Sequence, residues 1–109
     1  MNFLSVDEMQ FLQKELHQAY EDDWGPLCPE DAACCLLWTV GEIGEVTDVI
    51  KKQGTDEILH DPATHAHFTE EVCDVLMHLT DVLLCLGITP EEISTSFREK
   101  QKRNLERWK

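Results

Sequence analysis

Every sustained apolar run in this sequence repeats at three- and four-residue spacing, and none alternates with the period of two that a β-strand requires. Met9, Leu12, Leu16 and Tyr20 form one such stripe, and Phe68, Val72, Leu76, Leu79, Leu83 and Leu86 form another. The chain is therefore expected to be all-α. Its 109 residues predict a single domain over 1–109 with a modest core, to which a second copy could add by covering an apolar helix face.

Start and stop signals divide the chain into four helices. Ser5-x-x-Glu8 has the form of a capping box, which sets a first helix from Val6. Asp22 to Leu27, containing Trp24-Gly25-Pro26, reads as a turn. Pro29 suits the first turn of a second helix, with Glu30 and Asp31 beside its positive end, and that helix runs to Gln53 before Gly54. Gly41 and Gly44 within it each cost roughly 1 kcal/mol against alanine. Close approach of another backbone is the favoured reason, and room at a site the other. Gly54 to His67 reads as a long connection with at most a turn of helix at Asp56 to His60. A third helix is predicted from Thr64 or His67 to Leu86, ended by Gly87. Thr89-Pro90-Glu91-Glu92 opens a fourth, with Ile93, Phe97 and Trp108 on its buried side. The expected architecture is a small four-helix bundle with antiparallel second and third helices.

Charge narrows the partners. Twenty-two acidic residues against nine basic ones give a formal net charge of −13, the opposite of what a nucleic-acid or anionic-membrane binder carries. A phosphate-bearing small molecule stays compatible if a divalent cation stands between carboxylates and phosphates. The five cysteines form no C-x-x-C pair and mostly fall inside apolar helical patterns, which predicts reduced, packed thiols in a cytoplasm. The first residues lack a signal-peptide pattern, and the longest apolar runs are too short to span a bilayer.

Four carboxylates carry the chemistry. Glu42-x-x-Glu45 lies on the second helix and Glu71-x-x-Asp74 on the third. Residues three apart share a helix face, and both pairs flank apolar stripes, so they are expected to turn toward the helix interface and converge. Like charges about 4 Å apart repel by roughly 4 kcal/mol at an effective dielectric of 20, so such a cluster needs protonation or a cation. An all-oxygen set favours Mg²⁺, with Mn²⁺ as a substitute, over zinc. Ordinary solvated acidic faces are the competing explanation.

Leu36-Leu37-Trp38-Thr39-Val40-Gly41-Glu42-Ile43-Gly44-Glu45-Val46 resembles the first signature of the MazG-like all-α nucleotide pyrophosphohydrolases. Phe68-Thr69-Glu70-Glu71-Val72-Cys73-Asp74-Val75-Leu76 resembles the second. Phe97, Lys100, Asn104 and Arg107-Trp108 resemble that family's last helix. The resemblance implies Mg²⁺-dependent hydrolysis of a nucleoside triphosphate between its α and β phosphates, giving monophosphate and pyrophosphate. It implies Glu42, Glu45, Glu71 and Asp74 as metal ligands, one glutamate instead serving the attacking water. It also implies phosphate contacts from Lys100, Asn104 and Arg107, a homo-oligomer (dimer or tetramer), and a role in clearing unwanted nucleotides. A solvated basic helix end explains Arg107 equally well. Trp38 is placed to stack on a base or to join the core. The base-reading segment of many relatives has no counterpart in the N-terminal third, so substrate identity stays open.

Of the remaining residues, His60, His65 and His67 are expected in solvent and His78 as a packed core histidine. A di-iron carboxylate protein would need E-x-x-H pairs, which neither motif has. The non-enzymatic alternative is a metal-stabilised helical interaction module, favoured if Lys100 and Asn104 lie away from the carboxylates.

Overall fold

A computed structural model describes residues 2–107, so the predicted burial of Trp108 falls outside the described residues. The described residues are all-helical, with six α-helices and no strand. They are α1 (Val6–Ala19), α2 (Glu21–Trp24), α3 (Ala32–Gln53), α4 (Thr55–His60), α5 (Pro62–Cys85) and α6 (Pro90–Arg107), with a 3-10 turn at Pro29–Asp31 before α3.

The predicted ends hold where local chemistry sets them. Ser5 Oγ accepts from the Glu8 amide at 3.1 Å and starts α1. Glu92 donates its amide to Thr89 Oγ1 at 3.1 Å, and Glu92 Oε1 accepts in return from the Thr89 amide at 3.3 Å, a complete capping box ahead of α6. Gly54 stops α3 at φ 83°, a conformation that disfavours any side chain.

Two stretches differ from expectation. Asp22 to Trp24, the first half of the turn predicted at Asp22 to Leu27, instead belong to a short helix, Glu21–Trp24, that ends at Gly25. The long connection predicted over Gly54 to His67 is helical almost throughout. Asp61 is the reason: its carboxylate accepts from the Thr64 amide at 3.0 Å and from Thr64 Oγ1 at 2.8 Å, starting α5 two to five residues earlier than the periodicity suggested. Those same hydrogen bonds hold the Asp61 carboxyl below its ordinary value. Ile58 of α4 is buried, and its carbonyl meets His65 Nδ1 at 3.0 Å.

Helices α3 and α5 are antiparallel. Cys35 faces Cys85 (Sγ to Sγ 3.9 Å), Glu42 faces His78, and Glu45 clusters with Glu71, so contacts ascend one helix as they descend the other. The inward positions that these contacts and burial pick out are Cys35, Thr39, Glu42, Val46 and Val49 of α3 and Glu71, His78 and Cys85 of α5, a largely polar set at heptad-like spacing. Thr39 and Thr80 are buried there and satisfy their hydroxyls on the carbonyls of Cys35 and Leu76 in their own helices.

The predicted apolar stripes are only partly covered within the chain: Met9, Phe68, Val72 and Leu83 are half-buried. Leu12 and Leu16 of α1 and Tyr20 just after it are exposed while Gln10 and Gln13 are buried. Leu76 and Leu79 of α5 and Leu86 at its C-terminal cap are exposed, as are Leu36, Leu37, Val40 and Ile43 of α3. Phe97, predicted on the buried side of α6, is 74% exposed. Burial follows the strongest available polar partners: Gln13 Nε2 donates to Asp81 Oδ1 at 2.8 Å, and Gln10 Nε2 donates to the Ile88 carbonyl at 3.0 Å. Around Gly41 and Gly44 an added Cβ would meet nothing within 4 Å, so the close packing predicted for them does not occur within one chain. Helix α6 packs on α1 alone among the described elements. The radius of gyration, 16.4 Å, exceeds the roughly 13 Å of a compact chain of about this length. A closed four-helix bundle is therefore not formed by these residues alone.

The tie between α1 and α5 depends on Gln13. Gln13→Leu, which strips one partner from a buried carboxylate, should cost about 1–3 kcal/mol. Urea denaturation followed by circular dichroism would measure this loss.

Candidate metal centre

Glu42 and Glu45 share a face of α3 because they are three residues apart, and Glu71 approaches them from α5. Each of the three offers a carboxylate oxygen, and these oxygens all lie within 4.8 Å of one another. Around an octahedral Mg²⁺ at about 2.1 Å, neighbouring oxygens lie about 3 Å apart and only opposite ones about 4.2 Å, so binding such an ion would draw the three oxygens inward by up to about an ångström each. Glu71 Oε2 supplies a second observation: it is buried and has no hydrogen-bond partner. An acceptor-only group left that way costs stability unless a donor or a cation reaches it.

The electrostatics agree. Burial, and then the negative charges of Asp74 and Glu45, push the Glu71 carboxyl above its ordinary value, with His67 opposing at 3.8 Å. Asp74, the fourth predicted ligand, does not join the three-oxygen cluster. It is close enough to act on Glu71 through its charge, and it lines an adjoining cavity.

That cavity has a volume of about 600 Å³ and lies between α1, the α2 region, α3 and α5. Trp24, Trp38 and Met77 are among its walls. Trp38 is 60% exposed, so the core alternative for this residue does not hold within the chain. Its ring meets His78 edge-on at 6.0 Å, and His78 Nε2 stands 3.5 Å from Glu42 Oε1. His78 is thus half-buried beside the carboxylates rather than a core residue. Its place could have been read from the sequence, since it follows Glu71 by seven residues and shares its helix face. Trp24 stacks on Tyr20 at 4.7 Å and presents an edge to His17 at 5.3 Å.

Lys100 and Asn104 lie apart from this centre. They line a separate groove on α6 with Ile93 and Phe97, and α6 touches neither α3 nor α5. Arg107, three residues further along, closes the described part of the same helix. His60 pairs with Asp56 at 3.6 Å and, like His65 and His67, is exposed as expected, although all three are on helices rather than in a loop. All five cysteines are free thiols, and burial together with neighbouring Cys85 raises the Cys35 thiol to about 12, which keeps it protonated. No single helix among the described residues is long and apolar enough to cross a membrane.

Comparisons of the chain with protein-family models, with curated proteins and with solved structures find no match.

A carboxyl whose pKa rises on folding contributes stability below its ordinary value near 4.5 and loses it as pH climbs through the folded value. Glu71→Gln removes that loss. The metal-free variant should therefore melt above the parent at neutral pH and level with it near pH 4, measured by thermal scans in the presence of chelator.

Proposed function

We propose that this protein is a divalent-metal-dependent nucleotide pyrophosphohydrolase that hydrolyses a nucleoside triphosphate to its monophosphate and pyrophosphate. The observation that carries the reading is the convergence of Glu42, Glu45 and Glu71 around the unpartnered Glu71 Oε2, beside a tryptophan-walled cavity. Carboxylates gathered this way are unfavourable alone and favourable around Mg²⁺ or Mn²⁺. The resemblance of the Glu42-x-x-Glu45 and Glu71-x-x-Asp74 segments to the MazG-like signatures points the same way.

In this reading Glu42, Glu45 and Glu71 hold the ion, and Asp74 completes the set with a side-chain movement toward the cluster. The bound ion would neutralise the phosphates and activate a water at the α–β bridge. One glutamate released from the ion can accept the proton of that water. Trp38 offers a face to the base, and the cavity it lines has room for base and sugar. A chain this acidic repels a bare triphosphate, so the cation serves affinity as well as chemistry. A homo-oligomer belongs to the same reading: it would cover the exposed apolar faces of α3, α5 and α6, and it offers Lys100, Asn104 and Arg107 of another copy as phosphate contacts.

The position of Lys100 and Asn104 favours a second reading, a metal-stabilised helical interaction module without turnover. One experiment separates the two. Purified protein incubated with Mg²⁺ and a panel of nucleoside triphosphates should release monophosphate and pyrophosphate, resolved by chromatography, and lose this on chelation. Glu71→Gln should lower the rate by about 10²–10⁴-fold. Mg²⁺ binding without turnover would leave the interaction module. In either reading, a hundredfold excess of Mg²⁺ over its Kd should stabilise the fold by about 2.7 kcal/mol. That raises the melting temperature by on the order of 10 °C.

A further inference from the structure

The cavity beside the carboxylates has one polar wall that neither metal binding nor hydrolysis uses. Asp81 interrupts the apolar end of α5 and is only 6% exposed, yet it lines the cavity together with Gln13 and His17 of α1. Its orientation is fixed from two sides. Gln13 Nε2 donates to Oδ1 at 2.8 Å, and His17 Nε2 meets Oδ2 at 3.2 Å. The carboxylate accepts, so His17 must carry a hydrogen on Nε2. In the neutral ring this leaves Nδ1 as a bare acceptor, and Nδ1 is buried without a partner.

The polarity of the wall follows from this count. The Gln13 Nε2 and His17 Nε2 donors face Asp81, whereas the remaining lone pairs of Asp81 are acceptors, and His17 Nδ1 is a further acceptor that a ligand reaches only with a shift of the ring. A ligand that buries itself here gains by supplying N–H groups, and one that presents carbonyl oxygens leaves acceptors facing acceptors. Asp23 and Asp74 on the same cavity add to this bias, and no lysine or arginine among the described residues lines it.

We propose that Gln13, His17 and Asp81 make this cavity a reader of nucleobases that carry an exocyclic amine, as cytosine and adenine do, over their carbonyl counterparts uracil and hypoxanthine. The inference rests on the nucleotide-binding half of the function proposed above. Asp81 is the specificity-determining residue, and Gln13 positions it.

The test titrates the intact protein, in Mg²⁺ buffer at mildly alkaline pH, with the monophosphate pairs CMP and UMP, and AMP and IMP. Calorimetry gives each Kd without any turnover. The amine-bearing member of each pair should bind at least about tenfold more tightly. Asp81→Asn, which offers an amide donor in place of one acceptor, should bring both ratios close to one. Helical ellipticity and melting temperature report whether that variant folds; if it does not, the ratios of the parent protein decide alone. Equal or inverted ratios in the parent, or no binding of any of the four, overturn the proposal. Turnover of triphosphates without base preference would sink this inference and leave the hydrolase reading standing. Preference without turnover would do the reverse.

Discussion

Glu42, Glu45 and Glu71 repel one another across the seam between α3 and α5, and the rest of the molecule is arranged around that repulsion. A helix pair usually gains stability by meeting along its apolar stripes. Here the facing positions carry glutamates, histidine, threonine and thiols, while Leu36, Leu37, Leu76 and Leu79 look outward. Polar seams are stable only where each group has its own partner. Thr39 and Thr80 turn back on their own helices, and Asp81 is held by Gln13 and His17. In the seam itself Glu71 Oε2 lacks a partner among the described residues, and it sits where a cation would bring the charges together.

Much of this was legible in the sequence because it depends on local rules. The capping groups at Ser5 and Thr89 and the stop at Gly54 act within a turn of their own position, so residue type nearly decides the outcome. The three-residue spacing of Glu42 with Glu45 requires a shared face on any helix. Asp61, by contrast, begins α5 inside a stretch with no apolar period, because its side chain supplies what periodicity does not.

What the sequence concealed is direction. A stripe of leucines says that a face will be buried and not by what, and in α1 and α5 the face turned inward within the chain is the one bearing Gln13, His17, His78 and Asp81. Such polar residues inside apolar runs read as interruptions unless their partners are known, and Asp81 with Gln13 is a contact 68 residues apart. The open surroundings of Gly41 and Gly44 show the same limit: glycine marks a need for space without naming the occupant. Lys100 and Asn104 have the right spacing on α6, but the turn at Gly87 sends that helix away from the carboxylates.

The outward-facing leucines have a thermodynamic consequence. Unfolding a chain whose apolar faces are already wet uncovers little new hydrocarbon. The heat-capacity increment of this single chain is therefore small for its length, as is its sensitivity to denaturant. Its free-energy curve against temperature is correspondingly flat, falling gently on both the warm and the cold side of its maximum. Whatever comes to cover those faces will steepen that curve as well as raise it.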